Sequence, residues 1–468
     1  MKIKKGNSVN LIAFFNILGP VILNGISFFT IPIFTRILGT DNYGLYTIYY
    51  TWVNTVTILV SLQVMGTIGV ANVQLPEEEK KAYYSSVLSI VLLSFTVLSV
   101  IATIGMPILV KYLGLSRQMI ILMMVHALGM AFVNFASMRY TYEKKAHMNF
   151  AISVMVAIAG IILSLLFLYK GNFTEKTLYY GRAYGSAIPY IILGVVIGIV
   201  YILQGKTLYS KTYWKFCLPL CLPMVFHGLS QLVLGQADKV MLKGMMSDSI
   251  VGIYSFTFTF AHIMNIIYNA FNNTWVPFYY DDVKANKIEA IHKRSKNYIF
   301  VFTSLSIGFI LVAPEAIKIF AGEEFWSGIS LIPIFVLANY MMFLYSFPVN
   351  YEFYNKKSIH IATGTGVAAI INCILNYLFI PYMGMAGAAY ATLISYVLLW
   401  LFHHWVSKYL IKQNYHYKLK DFFPGLVMMI VFTIIVMQIE SYILIRWGMA
   451  FVVGIILLRH LMRTKSIF

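Results

Sequence analysis

Residues 148–169 read MNFAISVMVAIAGIILSLLFLY, an apolar run that contains no charged side chain. A helix of about 20 such residues is long enough to cross the hydrocarbon core of a bilayer. Similar runs recur along the chain: hydrophobic residues make up 60% of its 468 residues, and charged residues only 11%. Soluble proteins carry about 25% charged residues. The composition therefore argues against a soluble enzyme, a nucleic-acid-binding protein and a secreted disulfide scaffold, and it predicts an all-α polytopic membrane protein.

Fourteen apolar runs, each without a central cluster of charge, predict 14 transmembrane helices joined by short loops. Because no loop is long enough to form an extramembrane domain, we expect the protein to act within the bilayer. The predicted helices cover residues 9–31, 44–72, 83–105, 117–139, 148–169, 183–203, 216–237, 250–277, 297–313, 327–350, 359–380, 386–407, 422–439 and 443–461.

The net charge of +18 is spread unevenly over the loops. With the N-terminus inside, 25 of the 35 Lys and Arg residues fall on the cytoplasmic side and 10 on the outer side. Cytoplasmic loops carry the excess of basic residues in membrane proteins, so both termini are predicted to be cytoplasmic. The most basic loop, residues 281–297, is typical of a solvated face on anionic lipid, and partner binding is the alternative.

An internal repeat divides most of the chain. The motif at residues 44–46 (Gly-Leu-Tyr) returns at 252–254 (Gly-Ile-Tyr), offset by 208, and the segment 140–145 returns at 352–357, offset by 212. Both matches lie in corresponding loops, so they predict two six-helix lobes of the same orientation, with a cavity between them suited to alternating access. The predicted parts are a first lobe at 1–204, a second lobe at 215–408, and two further helices at 421–462.

Several segments of the sequence resemble those of a known family. Residues 28–39 (FFTIPIFTRILG) with 43–46, residues 238–242 with 252–254, and residues 384–395 (GMAGAAYATLIS) are similar to segments of the Wzx-type O-antigen and capsule flippases of the MOP exporter superfamily. The resemblance covers essentially the whole chain. Its motifs indicate the branch of the superfamily but do not indicate which sugar is transported.

The resemblance implies a bacterial inner-membrane transporter that is not an enzyme. Such proteins move an undecaprenyl-pyrophosphate-linked oligosaccharide from the cytoplasmic to the periplasmic leaflet, driven by an ion gradient or the membrane potential. The family has a cationic central cavity for the pyrophosphate. We therefore expect three kinds of partner: the lipid-linked substrate, the bilayer and polysaccharide assembly proteins. Nucleic acid, metals and cofactors are not expected.

Polar side chains at helical spacing on spans 1, 7 and 8 are candidates for a cavity wall that hydrates the head group. Placing such groups inside a membrane costs free energy, so those that occur there usually have a function. Interhelical hydrogen bonds are the alternative explanation. The candidates are Asn16, Asn24, Ser27, His227, Gln231, Asp238, His262, Asn265, Asn269 and Asn273.

Basic residues at the ends of spans 1 and 7 could complete a positive ring for pyrophosphate. Arg36 suits bidentate pairing with phosphate, and Lys239 and Lys243 follow on span 7. Snorkelling to the interface is the competing interpretation. At the cytoplasmic end of span 4, Arg139 and Glu143 are candidates for an entry gate.

Two other functions remain open. A MATE-like cation-coupled drug exporter shares the superfamily, although the two extra helices and the motif joining spans 1 and 2 disfavour it. A membrane-embedded glycan polymerase would also handle lipid-linked sugars, but it requires a large outer loop, and the outer loops here are short.

Overall fold

The computed structural model of the chain describes residues 5–143, 145–411 and 417–464; for residues 5–24, 27 and 358 it describes the backbone alone. All regular secondary structure in the described residues is helical. The prediction of an all-α polytopic membrane protein is confirmed.

Two compact units divide the chain, Met1–Leu232 and Val233–Phe468, and the boundary falls inside one long helix, α8. The first unit and α8 comprise α1 Lys5–Ser61, α2 Ile68–Gln74, α3 Glu77–Ile104, α4 Met106–Leu113, α5 Arg117–Tyr142, α6 Ala146–Lys170, α7 Leu178–Gly205 and α8 Lys211–Met245. The second unit continues with α9 Asp248–Ala261, α10 Ile263–Lys284, α11 Ile288–Phe320, α12 Ile332–Tyr354, α13 Ser358–Met383, α14 Met385–Trp405, α15 Leu419–Gln438 and α16 Ile443–Thr464.

The first two predicted spans both lie in α1 and the segment that follows it. Gly39 interrupts α1 with a φ of 66° and a ψ of 179°, angles that glycine adopts readily and other residues do not. The prediction of one helix over 44–72 is wrong in one respect. Leu62 and Gln63 take positive φ values, and the axis turns by 52° before the residues that follow.

Twelve helices among the described residues are long and apolar enough to span a membrane, or 13 if the bent pair Phe28–Ser61 and Val64–Gln74 counts as one span. The twelve match the predicted spans from the third onward. The chain is thus a multi-pass membrane protein, and the total of 14 stays a prediction.

Helices α5 and α12 are the most buried candidate spans of their units, since 72% and 83% of their apolar windows lie inside the protein. Burial of this extent means that other parts of the protein, rather than lipid, surround most of each helix. These two helices are the fourth and tenth predicted spans, six apart. Their matching central positions favour the predicted repeat.

The turns after these two helices also match. The Lys145 amide donates to the Tyr140 carbonyl at 2.8 Å, and the Lys357 amide donates to the Glu352 carbonyl at 2.9 Å. Both bonds join residues five apart, at the offset of 212 that the sequence predicts. This shared turn agrees with the predicted repeat, and the repeat and the lobe limits at 204, 215 and 408 stay a prediction.

Close helix contact in the first unit generates a first test. A Cβ atom on Gly194 of α7 would lie 2.6 Å from the Gly129 Cα atom of α5, whereas one on Gly308 of α11 would have no heavy atom within 4 Å. Gly194→Ala should destabilise the protein by about 1–3 kcal/mol through overpacking. Gly308→Ala should be neutral or stabilising, because alanine favours the helix. Thermal unfolding in detergent measures both, and equal melting temperatures would refute the close packing.

Candidate functional site

Several predicted polar residues of the second unit meet around a cavity of about 300 Å³. Three of them, Lys239, His262 and Asn265, line it directly. Helices α8, α9, α10, α12 and α14 supply the wall. Its other lining residues are Gly235, Gln236, Phe258, Thr259, Phe335, Ala338, Asn339, Met342, Thr392 and Tyr396.

Lys239 supplies the positive charge of this cavity and is 5% exposed. Its Nζ atom donates to Gln236 Oε1 at 2.8 Å and lies 4.9 Å from the centre of the Phe258 ring. Among the described residues, no carboxylate lies within ion-pair distance of this ammonium group. The Asp238 carboxylate attracts it from beyond that distance. A buried cation whose direct contacts are an amide and an aromatic face is suited to meet an anion that enters the cavity.

Asp238 is not among the residues that line the cavity, although it precedes Lys239. Successive side chains on an α-helix point about 100° apart, so the two groups reach different neighbours. The Tyr254 hydroxyl donates to Asp238 Oδ2, and the Lys239 backbone amide donates to Oδ1 at 2.9 Å. Asp238 is therefore buried in a hydrogen-bonded position that anchors α8 to α9.

A break in the predicted span 250–277 shapes another wall of the cavity. The helix is interrupted at His262 alone, whose φ of −65° and ψ of −11° stay in the helical region, and Asp248–Lys284 remains one candidate span, as predicted. Asn339 of α12 donates to the Ala261 carbonyl at 3.2 Å, which satisfies a backbone group at the break. Below the break, Asn269 donates to Asn265 Oδ1 at 2.7 Å. Broken helices satisfied by neighbouring side chains are typical of transporter binding sites.

Two other predicted positions of the second unit lie elsewhere. Lys243 forms an ion pair with Asp248 at the end of α8, and Asn273 is exposed without lining the cavity. The proposed positive ring therefore has Lys239 as its only cavity-lining lysine within this unit.

The remaining candidates belong to the first unit. His227, Gln231 and Arg36 are exposed there. The side chains of Asn16, Asn24 and Ser27 lie outside the described residues. Their predicted role in substrate binding stays a prediction.

The predicted gate of the first unit is an ion cluster beside a cleft of about 380 Å³. Arg139 Nε donates to Glu143 Oε1 at 2.5 Å, and Lys145 Nζ donates to Glu143 Oε2 at 2.7 Å. The Arg139 guanidinium also lies 4.9 Å from the ring centres of Tyr84 and Tyr201. Burial raises the pKa of Glu143, but the hydrogen bonds and charges of Lys145 and Arg139 together outweigh it and hold this pKa below its usual value.

Sequence reasoning missed part of the polar chemistry of the second unit. Gln236 precedes Lys239 by one helical turn, so the spacing alone could have indicated it. Asn339 gave no such signal because its role depends on a break in another helix. A second missed group is fully buried: His403 Nδ1 lies 2.8 Å from Glu352 Oε1, a pair that joins α14 to α12.

Comparisons with known proteins agree with this architecture. The sequence profile of the family described as "Polysaccharide biosynthesis protein" matches residues 13–281. An Lsg locus protein of Haemophilus influenzae is 22% identical over 386 residues, which cover 78% of this chain and 91% of that protein.

Solved structures show the same fold. The lipid II flippase MurJ in an inward closed conformation is 16% identical, with a TM-score of 0.73 over 97% of this chain and 99% of that one. An inward-facing MATE family multidrug resistance transporter of the MOP superfamily is 14% identical, with a TM-score of 0.63 over 88% of this chain and 94% of that one. At these identities the likeness establishes the fold alone.

The ion cluster around Glu143 generates a pH-dependent prediction. Because the folded pKa of Glu143 is lowered, its stabilising effect is fully present above the usual value of 4.5 and is lost as the pH falls through the folded value. Glu143→Gln should cost about 0.5–1 kcal/mol at pH 7. That difference should hold from pH 8 to 6 and vanish in acid, as measured by thermal unfolding.

The exposed Glu175, which lies outside the helices and forms no ion pair among the described residues, supplies the control. Glu175→Gln should leave the melting temperature unchanged across the same pH range. If the Glu143→Gln protein were as stable as the parent at pH 7, the ion cluster would not stabilise the fold.

Proposed function

The chain belongs to the polysaccharide biosynthesis protein family, and from this premise we propose that it flips a lipid-linked oligosaccharide across the membrane. The substrate is an undecaprenyl-pyrophosphate-linked repeat unit, carried from the cytoplasmic to the periplasmic leaflet by alternating access. An ion gradient or the membrane potential supplies the driving force.

The single observation that carries this proposal is the Lys239 ammonium in a polar cavity within membrane-spanning helices. Moving an ionised head group through hydrocarbon without a partner costs many kcal/mol. A buried cation without a carboxylate partner offsets that cost for an anionic ligand. A pyrophosphate group is such a ligand, and it also accepts hydrogen bonds from several donors at once.

The neutral residues of the same cavity suit a sugar attached to the phosphate. Asn265, Asn339 and Gln236 offer amide groups that exchange hydrogen bonds with hydroxyls, and Phe258 and Tyr396 offer ring faces. Sites of this kind, with apolar walls and a few convergent polar groups, are typical for small organic ligands. We assign Lys239 to the phosphate and the amides to the glycan.

The distribution of basic residues supports the orientation. With 25 Lys and Arg residues assigned to one side and 10 to the other, we infer that both termini are cytoplasmic and that the protein lies in the bacterial inner membrane. Polysaccharide assembly proteins would receive the flipped unit on the outer side.

A second candidate function rests on the fold. Because a MATE family transporter shares the architecture over 88% of this chain, cation-coupled drug export is the alternative. Two strains distinguish these activities. Drug resistance should not change in a strain that overexpresses the protein, whereas polysaccharide at the cell surface should be lost in a strain that lacks it.

Deletion also tests the direction of transport. In cells that lack the protein, lipid-linked repeat units should accumulate in the cytoplasmic leaflet, and enzymes added to the outside of spheroplasts should not reach them. Units found on the outer leaflet of the null strain would instead indicate a polymerase and would overturn the proposal.

The cavity lysine generates a further test, with a matched control one turn along the same helix. Lys239→Ala should lower flipping about tenfold or more, because a charge-assisted contact contributes about 1.5–3 kcal/mol. Lys243→Ala removes the same charge from a residue paired with Asp248 outside the cavity and should retain most of the activity. Outer-leaflet repeat units measure both, with membrane levels of each variant confirmed. Equal activity of the two variants would remove Lys239 from the site.

A further inference from the structure

Helices α11 and α16 pack side by side in opposite directions and are joined at two levels. Toward the end of α11, Glu315 binds the Arg446 guanidinium of α16 through two contacts of 2.5 and 2.8 Å. Nearer the beginning of α11, the centre of the Phe300 ring lies 4.3 Å from the centre of the His460 ring of α16. Beyond this second contact, the beginning of α11 and the end of α16 enclose a pocket.

This pocket has a volume of about 650 Å³ and a wall rich in hydrogen-bond donors. No carboxylate is among its lining residues, so its electrostatic character is positive. The residues that line it are Ala290, Lys293, Arg294, Asn297, His460, Arg463 and Thr464.

The cations of this pocket differ in what already binds them. Arg294 is paired with Asp282 at 3.0 Å, whereas Lys293 and Arg463 have no ion pair with any described residue. His460 Nε2 is buried and has no hydrogen-bond partner in the described part of the chain. Two exposed cations without a carboxylate partner and an unsatisfied imidazole nitrogen therefore share one concave site.

A cleft with a mainly apolar surface runs along the other side of the same segment of α11. Its volume is about 390 Å³, with α15 as the opposite side. Its apolar wall comes from Ile299, Phe300, Pro424 and Met428, and its other lining residues are Lys296, Thr303, Ser304, Lys420, Asp421 and Gly425. Phe300 thus contacts both sites: its ring packs on His460 of the basic pocket, and it lines the cleft. A basic pocket beside an apolar cleft matches the two parts of an amphiphile.

We propose that the pocket between α11 and α16 binds the phosphate of an anionic phospholipid, with an acyl chain along the Phe300 cleft. Guanidinium and ammonium groups are the usual partners of phosphate oxygens, and Arg463 can bind two of them at once. In the proposed orientation the pocket lies on the cytoplasmic side, where anionic lipids face the protein. This lipid site is separate from the cavity around Lys239 and does not depend on the proposed transport activity.

The alternative is a diffuse attraction between the basic loop and the membrane, in which every cation contributes equally. The chain offers a matched pair for this distinction. Lys284 and Lys287 are exposed on the same basic loop but do not line the pocket. Replacing them removes the same charge as replacing Lys293 and Arg463.

Native mass spectrometry of the purified full-length protein tests the site. Phosphatidylglycerol and phosphatidylcholine are titrated against the parent, against Lys293→Gln with Arg463→Gln, and against Lys284→Gln with Lys287→Gln. We expect the parent to prefer phosphatidylglycerol. The pocket pair should lose about tenfold or more in affinity, at about 1 kcal/mol per cation, whereas the control pair should change by less than about twofold. Unchanged thermal unfolding shows that both double variants are folded.

Equal losses in the two double variants would establish diffuse attraction and overturn the proposal, as would the absence of any loss. Glycerol 3-phosphate, which has the phosphate without the chain, forms the other arm. It should bind far more weakly than phosphatidylglycerol. Equal affinity would mean that the pocket takes free phosphate esters, and the lipid assignment would then be wrong.

Discussion

The absence of water from the hydrocarbon core governs this structure, because each buried charge must find its partner within the protein. Arg446 is 1% exposed and is satisfied by Glu315 and by the Leu311 carbonyl at 2.7 Å. Asp238 is satisfied by Tyr254 and a backbone amide. Lys239 is the exception, since its described partners are a neutral amide and a ring. Under the proposed function, an anion in the cavity would offset the remaining cost of burying this ammonium.

Much of the architecture could be predicted from the sequence, because a bilayer imposes a length and a polarity that composition reveals directly. The twelve candidate spans from Glu77 onward fall where the apolar runs predict them. The break at His262 could not be predicted, since Asn339 of another helix makes it tolerable by binding the Ala261 carbonyl. The bend at Leu62 and Gln63 likewise has no counterpart in hydropathy.

The residues of the candidate site also fall into those that the sequence could predict and those that it could not. Helical spacing led to His262 and Asn265, and the positive charge at the end of span 7 led to Lys239; the second unit does bring these three together. Spacing could not show that Lys239 lines the cavity whereas Asp238 contacts Tyr254. Adjacent side chains on a helix point about 100° apart, and the sequence does not reveal which of them faces the cavity. It also could not show that Lys243 is paired with Asp248, since that contact depends on how α8 ends.

The presence or absence of a carboxylate partner also explains why the basic residues of the chain have different roles. Arg139 and Arg446 bind carboxylates and therefore hold helices or turns in place. A cation already bound in this way has little to offer a ligand, because a new anion would first have to displace its partner. Cations without such a partner lose less on binding. On this reasoning the two proposed anion sites of the second unit depend less on where positive charge accumulates than on where a cation lacks a carboxylate partner.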